Sequence, residues 1–160
     1  MILALLPLFA QAAAPCPATP VIPAELAGWA MGQFVSASGN GDTTLASTLS
    51  VGVGSSVSLL PNAVVRLPVP ATKPVEPKLA SGVVAFTIRT AGRYRVALGA
   101  GAWIDVVRDG KALTSVAHGH GPACSPVRKM VDFDLGPGRH LLQIVGSPVA
   151  KIDVMVARLP

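Results

Sequence analysis

The chain has 160 residues, one domain's worth and enough to enclose a core. Apolar residues make up 51%, charged residues 13%, and the net charge is +5. The basic residues are scattered and aromatics are only 4%. That argues against a nucleic-acid partner, which calls for a concentrated basic stripe interleaved with stacking rings. A basic surface that meets a glycan or an anionic envelope polymer is the expected partner class.

The first segment, "MILALLPLFAQAAAP", has no charged side chain. An apolar run at 2–9 leads to Ala10-Gln11-Ala12, which has the form of a signal-peptidase site. Residues 1–12 therefore read as an export signal, followed by a Pro-rich lead-in at 13–28 and a single domain at 29–160. The run at 2–9 is too short to cross a bilayer, so no transmembrane span is expected. The expected location is periplasmic or secreted. Two cysteines, Cys16 and Cys124, remain after cleavage, and in an oxidising compartment they are expected to pair as a disulfide. Pro15 stands where a lipid-bearing cysteine is preceded by a small, flexible residue, so Cys16 does not read as a lipid anchor.

In the lead-in, "PAELAGW" suits one helical turn with Pro23 near its start. Beyond it, Gly and Pro punctuate the chain, and no Gly- or Pro-free run is longer than 149–159. That leaves little room for helices and suits short strands. Strands are expected within "GQFVSAS", "TTLASTL", "SSVSLLP" and "AVVRLPV". The Pro-rich stretch at 68–81 reads as a connection crossing between sheets. Period-two alternation then places Val84, Phe86 and Ile88 on one face of a strand. It does the same for Tyr94, Val96 and Leu98 with Arg93 and Arg95 opposite, for Val131, Phe133 and Leu135 with Asp132 and Asp134 opposite, and for Ile152, Val154 and Val156. "WIDVVRDGKALTSV" reads as a hairpin turning on Asp109-Gly110. The sum is about nine or ten short strands: an all-β, antiparallel β-sandwich, jelly-roll-like.

"TAGRYRVAL" and "GPGRHLLQI" echo one another, with His140 in the place that Tyr94 holds. This casts His140 as a ring packed at a strand start and spending one hydrogen bond.

Taken together, "AGRYRVALGAGAWIDVVRDGKAL", "HGHGPACSPVRK" and "LGPGRHLLQIVG" resemble a set of short exported bacterial β-sandwich proteins that carry the label homogentisate 1,2-dioxygenase. The resemblance spans roughly 25–160. It implies a cupin-like, iron-dependent dioxygenase holding its metal through two histidines and a glutamate. Here the glutamates are Glu25, in the lead-in, and Glu76, in the Pro-rich connection, and neither matches that triad. The turn-strand pattern is also similar to carbohydrate-binding and pre-peptidase-type accessory modules.

Three chemistries compete for the remaining residues. His118 and His120 share a face if they lie on a strand, and with His140 they form the candidate metal set, iron being the cofactor if one is present. Serines occur without a G-x-S-x-G elbow, and Cys124 in a disulfide is no nucleophile. No catalytic residue is assigned, and the reading leans away from an enzyme. Asp132 and Asp134 read as a solvated strand face. Trp103 and Asp105 share the face opposite Ile104 and Val106. An outward indole with a carboxylate beside it is a platform for a sugar, so these two are the candidate ligand-binding residues. The leading expectation is an exported, non-catalytic envelope or ligand-binding protein, with carbohydrate as the ligand class; the alternative is the dioxygenase.

Overall fold

The structure is a computed structural model that describes residues 14–160. The export signal read at 1–12 lies outside the described residues. Among the described residues there are eleven strands. In chain order they are β1 (Gln33–Ser36), β2 (Ser55–Ser58), β3 (Leu60–Pro61), β4 (Ala80–Ile88), β5 (Gly92–Leu98), β6 (Trp103–Arg108), β7 (Lys111–Ala112), β8 (Ala117–Gly119), β9 (Lys129–Leu135), β10 (Gly138–Ser147) and β11 (Lys151–Arg158). They form two sheets, β1-β2-β11-β5-β9-β8 and β3-β4-β10-β6-β7. All pairings are antiparallel except β1 with β2. The fold is an all-β, sandwich-like pair of sheets. Among the described residues no helix is long and apolar enough to cross a membrane.

The alternating residues meet between the sheets. Phe86, Leu142, Ile144 and Val106 from the second sheet pack against Val96, Phe133, Ile152 and Val154 from the first, all nearly or fully buried. The Asp109-Gly110 turn joins β6 to β7 with φ of 51° and 72°. Both residues need positive φ, which glycine adopts freely and aspartate tolerates. Tyr94 lies in the core at the start of β5, and its hydroxyl donates to the Thr90 carbonyl at 2.7 Å. His140 takes the matching place in β10. It is 1% exposed and stacks on Phe86 with ring centroids 5.4 Å apart, and Nδ1 lies 3.1 Å from the Gly138 carbonyl oxygen.

Four local expectations need correction. "TTLASTL" holds a 3₁₀ turn at Leu45–Ser47 rather than a strand, capped where Thr48 Oγ1 donates to the Thr44 carbonyl. "AVVRLPV" likewise overlaps a 3₁₀ turn at Asn62–Val64, because the chain there leaves the short β3 edge before its prolines. The Pro-rich connection does not cross between sheets. It leaves β3 and returns to β4, which is β3's own partner in the second sheet. Its backbone is held on that sheet's outer face by Gln143, whose side-chain amide exchanges two hydrogen bonds with Val69, at 2.7 and 3.1 Å. Finally, Asp132 is not solvated. It is 6% exposed and takes a two-pronged ion pair from Arg95, Nε to Oδ1 at 2.8 Å and Nη2 to Oδ2 at 2.9 Å. Asp134 remains on the surface, paired with Arg93.

Asp132 is covered because the lead-in folds over the outer face of the first sheet. Its 3₁₀ segment, Ala24–Met31, buries Leu26 completely against Ala97, Val127, Met155 and Ala157, with Ile22 and Trp29 alongside. Glu25 reaches down from the same segment to the Arg95 guanidinium. Contact is close enough to exclude side chains: Gly54 donates to the Gly28 carbonyl at 2.8 Å, and a Cβ on Gly54 would lie 1.9 Å from the Trp29 carbonyl oxygen. At the other end of the strap, Val21 donates to the Cys124 carbonyl at 3.1 Å, and Cys16 and Cys124 stand at disulfide distance, S–S 2.12 Å.

Candidate functional site

β6 begins at Trp103, directly after the glycine-containing turn from β5. The pleat sends Ile104 and Val106 into the core, so Trp103 and Asp105 point out of the second sheet. The indole is 43% exposed. Its orientation is fixed, because Nε1 donates to Asp105 Oδ1 at 3.0 Å. The other Asp105 oxygen accepts from Gln143 Nε2 at 3.4 Å, the same amide that grips Val69. Asp105 is therefore a brace for the indole and the connection rather than a free acceptor for a ligand. Trp103 forms one wall of a cleft of about 230 Å³, with Val145, Gly146, Leu79 and residues 71–75 of the connection as the others.

Lys129, first residue of β9, reaches the same ring from the first sheet. Its Nζ lies 5.2 Å from the indole centroid and donates to the Ala102 carbonyl at 2.6 Å. Burial pushes the Lys129 ammonium below its ordinary pKa, and the negative charge of Asp105 pulls part of that back. Lys129 also lines a second cleft, of about 580 Å³, together with Gly101, Ala102, His118, His120 and Arg128. The register explains why His118, His120 and Lys129 share one face of the sheet. His118 pairs with Val131, a core-facing residue, and Gly119 with Met130, so the next pair in line is His120 and Lys129. His118 thus points to the core side of the sheet but lies on its edge strand, where the core has ended and the side chain is exposed. Arg128 is tied into position through its backbone, which donates to the Leu98 carbonyl at 2.8 Å.

The loop joining His120 to Arg128 is irregular and tightly closed. A Cβ on Gly121 would lie 2.0 Å from the Val127 carbonyl oxygen, Cys124 has φ of 60°, and Ser125 Oγ accepts from the Val127 N–H at 2.9 Å. Its middle is the point at which the strap is fastened through Cys16.

The structure brings Trp103 and Asp105 together, and His118 and His120 together, but it does not bring His140 to either. His140 lies on β10 of the second sheet with its ring buried in the core and stacked on Phe86, on the opposite face of that sheet from Trp103 and Asp105. Among the described residues no group of three or more His, Cys, Asp or Glu is placed to hold a metal ion. The two-histidine, one-glutamate iron set implied by the resemblance does not fit these residues: Glu25 is spent on Arg95, and Glu76 pairs with Lys78 on the connection. A further cleft of about 690 Å³ lies near Tyr94, Arg89 and Arg158. Its one aromatic ring is packed in the core.

The sequence reading left Gln143 unremarked and counted Arg128 and Lys129 only among the scattered basic residues. Gln143 had a signal, being the one polar residue in the apolar run of β10, fully buried and placed beside Asp105 in the ladder. Lys129 had none, since only the approach of two sheets sets it against Trp103.

Comparison with known proteins finds no family model that matches the chain and no curated protein similar to it.

Proposed function

We propose that the mature chain is an exported, non-catalytic binding protein of the cell envelope that takes a glycan on the Trp103 face of its second sheet. The observation that carries this reading is the indole itself: half exposed, locked by Asp105, and set as the wall of a cleft whose other walls are mostly apolar. A flat, rigid ring costs little entropy to present and gives the apolar face of a sugar a surface to stack on. Gln143 and Asp105 hold the ring and the Pro-rich wall together, so the site is formed before the ligand arrives. Export is supported by the signal-like sequence at 1–12 and by a cysteine pair at disulfide distance, an arrangement at home outside the cytosol.

The test is calorimetric titration of the mature protein with a panel of soluble neutral and acidic polysaccharides, alongside Trp103→Ala. Binding weakened by about tenfold in the variant, the loss of roughly one stacking contact, is the expected result. Binding that is indifferent to Trp103→Ala, or a panel without a single binder, contradicts the reading.

A further inference from the structure

We propose that the ligand is an acidic glycan, its sugar ring on Trp103 and its carboxylate, sulfate or phosphate group in the neighbouring cleft formed by His118, His120, Arg128 and Lys129. This rests on the Trp103 reading and adds the ligand's charge to it.

Four observations converge. The cleft, about 580 Å³, takes four of its lining residues from His118, His120, Arg128 and Lys129, and none from Asp or Glu. The acid whose charge acts on Lys129, Asp105, already accepts hydrogen bonds on both oxygens, from Trp103 and Gln143. Arg128 makes no ion pair among the described residues, whereas Arg93 and Arg95 on the adjacent strand are both paired with aspartates. An exposed guanidinium with its fork free is suited to a planar or tetrahedral oxyanion. Lastly, Lys129 belongs to both places. It lines the basic cleft while its ammonium lies 5.2 Å from the Trp103 centroid, so a stacked sugar and a bound oxyanion fall within the reach of one saccharide. One of the ammonium's three protons is used by the Ala102 carbonyl, which leaves donors for a ligand.

The same cations argue against a metal at His118 and His120, since a divalent ion would sit beside Arg128 and Lys129 without a carboxylate to balance it. An anion meets the opposite field. The loop between His120 and Arg128 is held to the strap at Cys124, which limits how far its backbone can move.

The experiment uses two matched pairs of oligosaccharides: oligogalacturonate against the galactose oligomer made by reducing its carboxyls, and dextran sulfate against dextran. Each is titrated into the wild-type protein, Arg128→Gln, the double variant His118→Ala/His120→Ala, and Trp103→Ala. All four positions are at least partly solvent-exposed, and a melting curve for each variant verifies folding. The acidic member of at least one pair is expected to bind about tenfold tighter at low salt, with an advantage that shrinks as salt rises. Arg128→Gln and the histidine variant should reduce that advantage and leave the affinity for the neutral member unchanged, whereas Trp103→Ala should weaken both members. Whichever pair shows the advantage separates a carboxylate from a sulfate-like group. Equal affinity for both members in the wild type overturns the acidic ligand while leaving the Trp103 reading intact. An acidic preference that survives both basic-cleft variants also overturns it, and places the anion elsewhere, with Arg89 and Arg158 the next sites to vary. A preference that depends on the basic cleft but ignores Trp103→Ala upholds the oxyanion site and removes the stacked sugar. Failure of every oligosaccharide to bind overturns both.

Discussion

His140 packs in the core with one ring nitrogen beside the Gly138 carbonyl and the other, Nε2, buried without a partner among the described residues. Burial lowers its pKa, with the Gly138 hydrogen bond opposing and the charge of Arg108 reinforcing. The fold therefore prefers the neutral ring. Its stability contribution is complete above the pKa of an unfolded histidine, about 6.5, and is lost as pH falls below that value toward the lowered folded one. One proton taken up on unfolding gives a slope of at most about 1.4 kcal/mol per pH unit. His140→Phe should keep the stack on Phe86 and remove this slope, so denaturant midpoints measured from pH 7 to 5 should fall less steeply than in the wild type. His140→Ala should cost about 3 kcal/mol at neutral pH through the cavity it leaves. The packed ring was legible from the parallel between "GRY" and "GRH". The burial of Asp132 was not, because alternation along β9 says only that it points away from the core. What covers that outer face is decided by Glu25 and Leu26, far away in sequence.

At the scale of elements, the strap is the part least supported by sheet pairing. It rests on Leu26, on the Glu25–Arg95–Asp132 network, on glycine contacts and on the Cys16 and Cys124 junction. The junction spans 108 residues of sequence, and losing such a closure costs about 2–5 kcal/mol in small exported domains. Cys124→Ser should lower the melting temperature by on the order of 10 °C, and well beyond the effect of His118→Ala, which touches only an exposed side chain. Protein recovered from an oxidising compartment should carry no free thiol. Gly54→Ala attacks the same strap through its backbone contact with Trp29. Overpacking of this kind costs about 1–3 kcal/mol, and it should shift Trp29 emission to the red while the cysteines stay linked. The strap left a trace in the sequence. β11 and β5 carry Met155, Ala157 and Ala97 on the faces opposite their core residues, and a strand apolar on both faces is covered on both.

Across the whole molecule, the two sheets use their outer faces differently. The strap covers the middle of the first sheet's outer face, around Arg95, Ala97 and Met155, and leaves Phe34 and Asp134 exposed at its margins, whereas the second is covered by the Pro-rich connection that Gln143 holds down, and there Trp103 remains exposed. The sandwich itself was legible, because the alternating runs, the Asp-Gly hairpin and the absence of long Gly- and Pro-free stretches all favour strands. Far-UV circular dichroism should accordingly show a β-rich spectrum with helix well below the roughly one-third typical of globular proteins. The destination of the Pro-rich connection was not legible, since prolines fix local backbone but not the sheet face on which they settle. Nor was the neighbourhood of Trp103, which residues from both sheets assemble. The central claim, that ligand is taken on the Trp103 face and the strap face is structural, is tested most directly by mapping backbone amide shifts in a ¹H–¹⁵N NMR titration with the best-binding oligosaccharide. The account predicts shifts clustered at 71–75, 101–105, 118–120 and 128–129, with 22–31 and 153–157 unmoved. Shifts concentrated on the strap and the strands beneath it, with the Trp103 region silent, would contradict it.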